Sequence, residues 1–118
     1  MSESRIKIEK ILQSIEDIEY ILDTFNMKLT QAIEDKVVKP AIRMHLVKIA
    51  EQFAKLKEEN AFKILENFSD QDLRGISAVR NYIAHDYDSV DDHIIEDTIR
   101  DDLPRIKHRA EELLKQQF

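Results

Sequence analysis

The sequence predicts an all-α protein, a four-helix up-and-down bundle with room for a short fifth helix. Three observations carry that expectation. Apolar residues recur at intervals of three and four along most of the chain, the period of one helix face. Only one of the 118 residues is Gly and two are Pro, whereas a sandwich or barrel needs a breaker every few residues. Charged residues make up 36% of the chain, enough to clothe the outer faces of amphipathic helices. At this length residues 1–118 form one domain, small enough that an oligomer interface would help its stability.

The first helix is expected from about Ser4 to Asp23. Ile8, Ile11, Ile15, Ile18, Leu22 and Phe25 follow one another at 3-4-3-4-3, the narrow seam of a bundle. Leu12 and Ile21 widen it, and Ser2 or Ser4 can cap its start. The second helix runs from about Asp35 to Glu58, burying Val38, Ile42, Leu46, Ile49, Phe53 and Leu56. Pro40 is tolerated only in a first turn. Either this helix starts near Val37, or residues 30–38 make a separate turn that meets it at a kink. Residues 57–68 contain Phe62, Ile64, Leu65 and Phe68 and fit either a short helix or an apolar loop. Ser69-Asp70-Gln71-Asp72 starts the third helix with a Ser cap and acids in the first turn, Asp72 standing as a short capping-box acid. Leu73, Ile76, Val79 and Ile83 face the core, and Gly75 permits a close crossing. Ser89-Val90-Asp91-Asp92 starts the fourth helix, whose buried set is Ile95, Ile99, Leu103, Ile106, Ala110 and Leu113. Pro104 predicts a kink near Arg100.

Composition excludes several function classes. There is no Cys, so neither a disulfide framework nor a thiolate zinc site is possible. No apolar run approaches the roughly 20 residues of a membrane span, and the N-terminus has no signal core; a cytoplasmic protein that does not engage membranes is expected. The net charge of −6 opposes non-specific nucleic-acid binding, which depends on neutralising phosphates. It leaves open an enzyme that binds one or two nucleotides, or a basic protein partner.

One octet stands apart: Arg80-Asn81-Tyr82-Ile83-Ala84-His85-Asp86-Tyr87, in the C-terminal half of the third helix. Arg is a planar fork suited to phosphate oxygens; His changes charge near neutral pH. On a straight helix Asn81 and His85 share a face, and Arg80 and Tyr87 nearly coincide. Arg80 and His85 stand about 140° apart. A site that uses both requires the helix to unwind near Ala84, or a second subunit to place its own octet opposite. The residues alone also allow a plainer reading, in which Arg80 and His85 offset the helix dipole and pair with Asp86 and Asp88.

Arg80, Asn81, His85 and Tyr87 fill the pattern Arg-polar-x3-His-x-Tyr, which closely resembles the signature of the HEPN superfamily in its HepT-like toxin branch. The likeness extends to Ile76-Ser77-Ala78-Val79 before the motif and to Tyr87-Asp88-Ser89-Val90-Asp91 after it. Leu103-Pro104 and the segment Arg43 to Glu51 also resemble the family. The resemblance implies a metal-independent endoribonuclease without a cofactor, cutting RNA by 2′-OH attack. Arg80 and His85 would be catalytic, with Asn81 and Tyr87 in support; Glu51, which follows the apolar run of the second helix, either points into the cleft in support or is one of many surface Glu. It implies a type VII-like toxin–antitoxin module, a homodimer or higher oligomer with the motif at its interface, and a minimal nucleotidyltransferase as antitoxin. That partner would silence the toxin by transferring AMP to Tyr87. Asp86 and Asp88 depart from this picture, since acids beside the imidazole oppose RNA phosphate. The alternative is a non-catalytic module that binds a nucleotide or the nucleotidyltransferase.

The remaining candidates read as surface. His45, His93 and His108 lie on different helices and suggest no metal site. Arg43 fits either a second phosphate contact or a surface ion pair with Glu34 or Glu51, and the ion pair is the expectation. Arg105, Lys107 and Arg109 are expected on a solvated face with Glu111 and Glu112.

Overall fold

The computed structural model describes residues 2–85 and 92–118. The described residues are helical, without strands. Helix α1 spans Glu3–Thr24. The Ser2 hydroxyl accepts the Arg5 N–H at 3.0 Å, so Ser2, not Ser4, is the cap. Ile8, Ile11, Ile15 and Ile18 are buried. Phe25, expected at the end of this seam, is 50% exposed, because the helix has already closed. Asn26 takes a left-handed φ of 50° and the Met27 N–H reaches back to the Leu22 carbonyl at 3.1 Å. Such a six-residue closure satisfies a carbonyl that the helix end leaves bare. Helix α3, Val38–Glu58, ends the same way. There Asn60 has φ 59° and the Ala61 N–H meets the Leu56 carbonyl at 3.0 Å.

Between them lies α2, a single turn at Leu29–Ala32. Asp35, expected to begin the second long helix, lies outside it and caps it. Its Oδ1 accepts the N–H groups of Val37 and Val38, each at 2.9 Å, and these bonds hold its carboxyl below the usual carboxylate range. Pro40 falls in the first turn of α3, where a missing N–H costs nothing. Another single turn, α4 at Phe62–Leu65, settles the path of residues 57–68. Phe68 is buried and meets Phe53 edge-on, with ring centroids 5.0 Å apart.

Helix α5 spans Asp70–His85. Ser69 caps it, its Oγ accepting the Asp72 N–H at 3.1 Å. The Asp72 carboxylate is buried and turns to Arg105, 2.8 Å from Nη2, rather than to its own helix end. Helix α6, Asp92–Asp97, runs through a wide π-type turn at Thr98–Asp102 into α7, Leu103–Leu114. The Leu103 N–H bonds five residues back, to the Thr98 carbonyl. Pro104 explains the widening, since its ring would crowd the carbonyl four residues behind it in a regular turn. The expected kink is therefore taken up as a bulge. The Ser89 cap proposed for this helix lies outside the described residues.

The long helices form a ring in which α1 packs on α3 and α7, and α5 packs on α3 and the π turn. Helix α1 runs antiparallel to both α3 and α7, as links between the start of α1 and the ends of the other two show. Lys7 meets Glu59 at 2.5 Å, the Arg5 guanidinium bonds the carbonyls of Leu114 and Gln116 at 2.8 Å, and Arg105 of α7 reaches Asp72. Arg105 and Lys107 thus make interhelical pairs instead of a merely solvated face; Lys107 pairs with Glu19 at 2.8 Å. Gly75 permits a close approach of α5 to the π turn, for a Cβ there would lie 2.7 Å from Asp102 Oδ2. Burial and the nearby Asp72 raise the Asp102 carboxyl above its ordinary range.

Phe68 pins the connector between α3 and α5, whereas Phe62 is 58% exposed. Phe68→Ala is expected to cost about 3–5 kcal/mol and Phe62→Ala within about 0.5 kcal/mol in urea unfolding. Equal costs would show that this connector packs differently.

Candidate functional site

Ile76, Val79 and Ile83 commit one face of α5 to the core, and this decides where the octet's polar side chains point. Arg80 falls on the flank beside α3. His85, Asn81 and Tyr82 are exposed. The helix stays regular through Ala84 and His85, so the unwinding that would bring Arg80 and His85 together in one copy does not occur. The two side chains stay on flanks about 140° apart. Tyr87, with Asp86 and Asp88, lies outside the described residues.

Arg80 has a definite partner. Its Nε donates to Glu51 Oε1 of α3 at 2.6 Å, both side chains being 39% exposed. A bond at Nε fixes the plane of a guanidinium while leaving its outer edge for bidentate contact with a phosphate. Glu51 is thereby joined to Arg80 of the octet as the acceptor of its Nε–H.

The same flank of α3 carries a second hold that residue type alone had misread. Arg43 is not a surface residue but 3% exposed. Its Nη2 donates to Asp92 Oδ1 at 3.2 Å, and Lys39 Nζ stands 3.3 Å from the same oxygen. Lys39, Arg43 and Val47 succeed one another at intervals of four beside the core stripe. That spacing was the available signal, obscured because charged residues are by default assigned to solvent.

His45 of α3 is half-buried, its Nδ1 without a hydrogen bond, and burial lowers its pKa. His93 and His108 are exposed on α6 and α7. The described residues contain no group of three or more His, Asp or Glu placed to hold a metal ion. A surface groove of about 680 Å³ opens at the opposite end of α5, between Asn67, Asp72, Arg105 and Arg109, where Arg105 is already engaged by Asp72 and Asp102. No described helix is long and apolar enough to cross a membrane.

Comparison with protein families matches residues 11–113 to the HepT-like family model, described as Ribonuclease HepT-like. Comparison with curated proteins and with solved structures returns no significant match.

The Arg80–Glu51 pair makes a direct spectroscopic demand. The Arg80 Nε–H resonance is expected to be displaced and protected from exchange in the native protein. It should move to the free-arginine position in Glu51→Ala, with stability changed by no more than about 1 kcal/mol, as for a half-exposed pair. An unchanged Nε–H signal in that variant would show that Glu51 does not orient Arg80.

Proposed function

The chain belongs to the HepT-like ribonuclease family, and on that footing we propose that it is a metal-independent endoribonuclease whose site is shared between two copies. The observation that carries the shared site is the regularity of α5 through His85. Arg80 and His85 diverge within one copy, and a two-fold axis beside this helix brings each octet against its partner's. The exposed face between them offers Ser77, Asn81 and Ala84, short side chains that permit close approach.

The chemistry follows from the residue types. RNA supplies its own nucleophile, the 2′-OH. One neutral His85 imidazole takes the 2′-OH proton as the 2′ oxygen attacks phosphorus. The bond from phosphorus to the 5′ oxygen breaks, and the other copy's His85, as imidazolium, protonates that leaving oxygen. The products are a 2′,3′-cyclic phosphate and a 5′-OH. Arg80, held by Glu51, meets the charge that builds on the phosphoryl oxygens. Asn81, one turn before His85 on the same face, orients the imidazole.

Tyr87 is the proposed switch of a toxin–antitoxin module. Its phenol oxygen attacks the α-phosphate of ATP on a nucleotidyltransferase partner and displaces pyrophosphate, leaving AMP on the tyrosine. The added phosphate puts bulk and negative charge where the RNA backbone must lie. The acidic surface, at a net charge of −6, suits a protein partner better than unspecific RNA binding.

Protein of unmodified mass is expected to cut a defined RNA in EDTA, leaving 2′,3′-cyclic phosphate ends. His85→Ala should lower that rate by about 10²–10⁴-fold while remaining folded. An unmodified, folded wild type that cuts no RNA but binds a nucleotide or a nucleotidyltransferase through Arg80 would replace this reading with a non-catalytic binding module.

A further inference from the structure

We infer that Arg43 is a positioning residue for the octet, acting through Asp92 with help from Lys39. The inference rests on the ribonuclease reading and extends it to a residue far from the motif in sequence. Arg43 is the only charged residue of α3 that is buried. Its guanidinium meets the carboxylate of Asp92, the residue at which α6 begins. Lys39, one turn earlier on α3, approaches the same carboxylate from 3.3 and 3.4 Å at its two oxygens. An acid at the first position of a helix is itself favoured by the helix dipole. Two cations and a helix end therefore converge on Asp92.

The place of this cluster is what gives it a role beyond stability. Helix α3 holds Arg80 through Glu51 and Asp92 through Arg43. Glu51 and Arg43 are eight residues apart, about 12 Å along the helix. The two points held, Arg80 and Asp92, bracket His85 in sequence. Helix α3 thus sets the separation between Arg80, which opens the octet, and Asp92. A partly buried ion pair is a poor source of net stability, since desolvation and solvent screening offset most of its attraction. Its benefit is geometric: a carboxylate gripped from two sides has one position. Misplacing a catalytic group by about 1 Å can cost about 10²-fold in rate, so a hold of this kind governs chemistry without touching substrate.

The test uses the full chain with Arg43→Met, Arg43→Lys, Lys39→Met and Asp92→Asn. Two readouts are taken: the His85 imidazole ring signals by NMR, and kcat and KM for cleavage of a defined RNA. Arg43→Met and Asp92→Asn are expected to move the His85 signals and to lower kcat by about tenfold or more, with KM little changed. Arg43→Lys should restore part of both. His85 signals and kcat that stay at wild-type values, with only the melting temperature falling, would overturn the inference and leave a structural ion pair. If Arg43→Met does not fold, Lys39→Met and Asp92→Asn decide, since Lys39 and Asp92 are about one third exposed. If the wild type cuts no RNA, the ribonuclease reading fails, and the His85 signals alone decide whether Arg43 positions the octet.

Discussion

A helix that must bury one face while carrying reactive groups on the others has little freedom in where it points them. Ile76, Val79 and Ile83 are buried in α5. With about 100° between successive residues, that choice sends Arg80 to the flank beside α3 and His85 outward on the far side. The separation of the two groups is a consequence of core packing. It could be undone only by breaking hydrogen bonds at the end of the helix, and α5 is regular there. A second copy resolves the conflict without any local distortion. The proposed shared site rests on this helix geometry together with the chemistry that Arg and His perform.

The role of α3 is the complement of this. Its core stripe, Val38, Ile42, Leu46, Ile49, Phe53 and Leu56, locks it between α1 and α5. The neighbouring flank presents Lys39, Arg43 and Glu51 towards the chain on either side of His85. Glu51 fixes the plane of Arg80 and keeps its outer nitrogens available. Arg43 and Lys39 fix Asp92. The scaffold helix thus contacts both Arg80 and Asp92, the residues that bracket His85 in sequence.

Much of this was legible in the sequence because the core is built mainly from Ile and Leu at strict helical spacing. Each buried position expected on the second helix is buried in α3. The third helix was equally readable from Ser69 and its acids. Phe25 was misplaced because a periodic pattern gives no warning of where a helix stops. That warning lay in Asn26 and Asn60, each tolerating the left-handed turn that closes a helix. Pro104 announced a distortion but not its form, since a kink and a π-type turn relieve the same clash. The octet was found by residue type and spacing, and its pairing with Glu51 was anticipated only as proximity. Arg43 was missed for a physical reason. Its partner Asp92 is 49 positions away, and no local pattern reports a contact made by packing two helices together.

The shared site is tested most directly by a mixed dimer of wild type and His85→Ala, isolated through two different affinity tags and assayed on a defined RNA in EDTA. If both imidazoles serve one cleft, the mixed dimer retains less than about a tenth of wild-type activity, since loss of either proton-transfer step is costly. If it retains about half, each copy works alone with its own Arg80 and His85, and the account of a site assembled from two diverging flanks of α5 is contradicted.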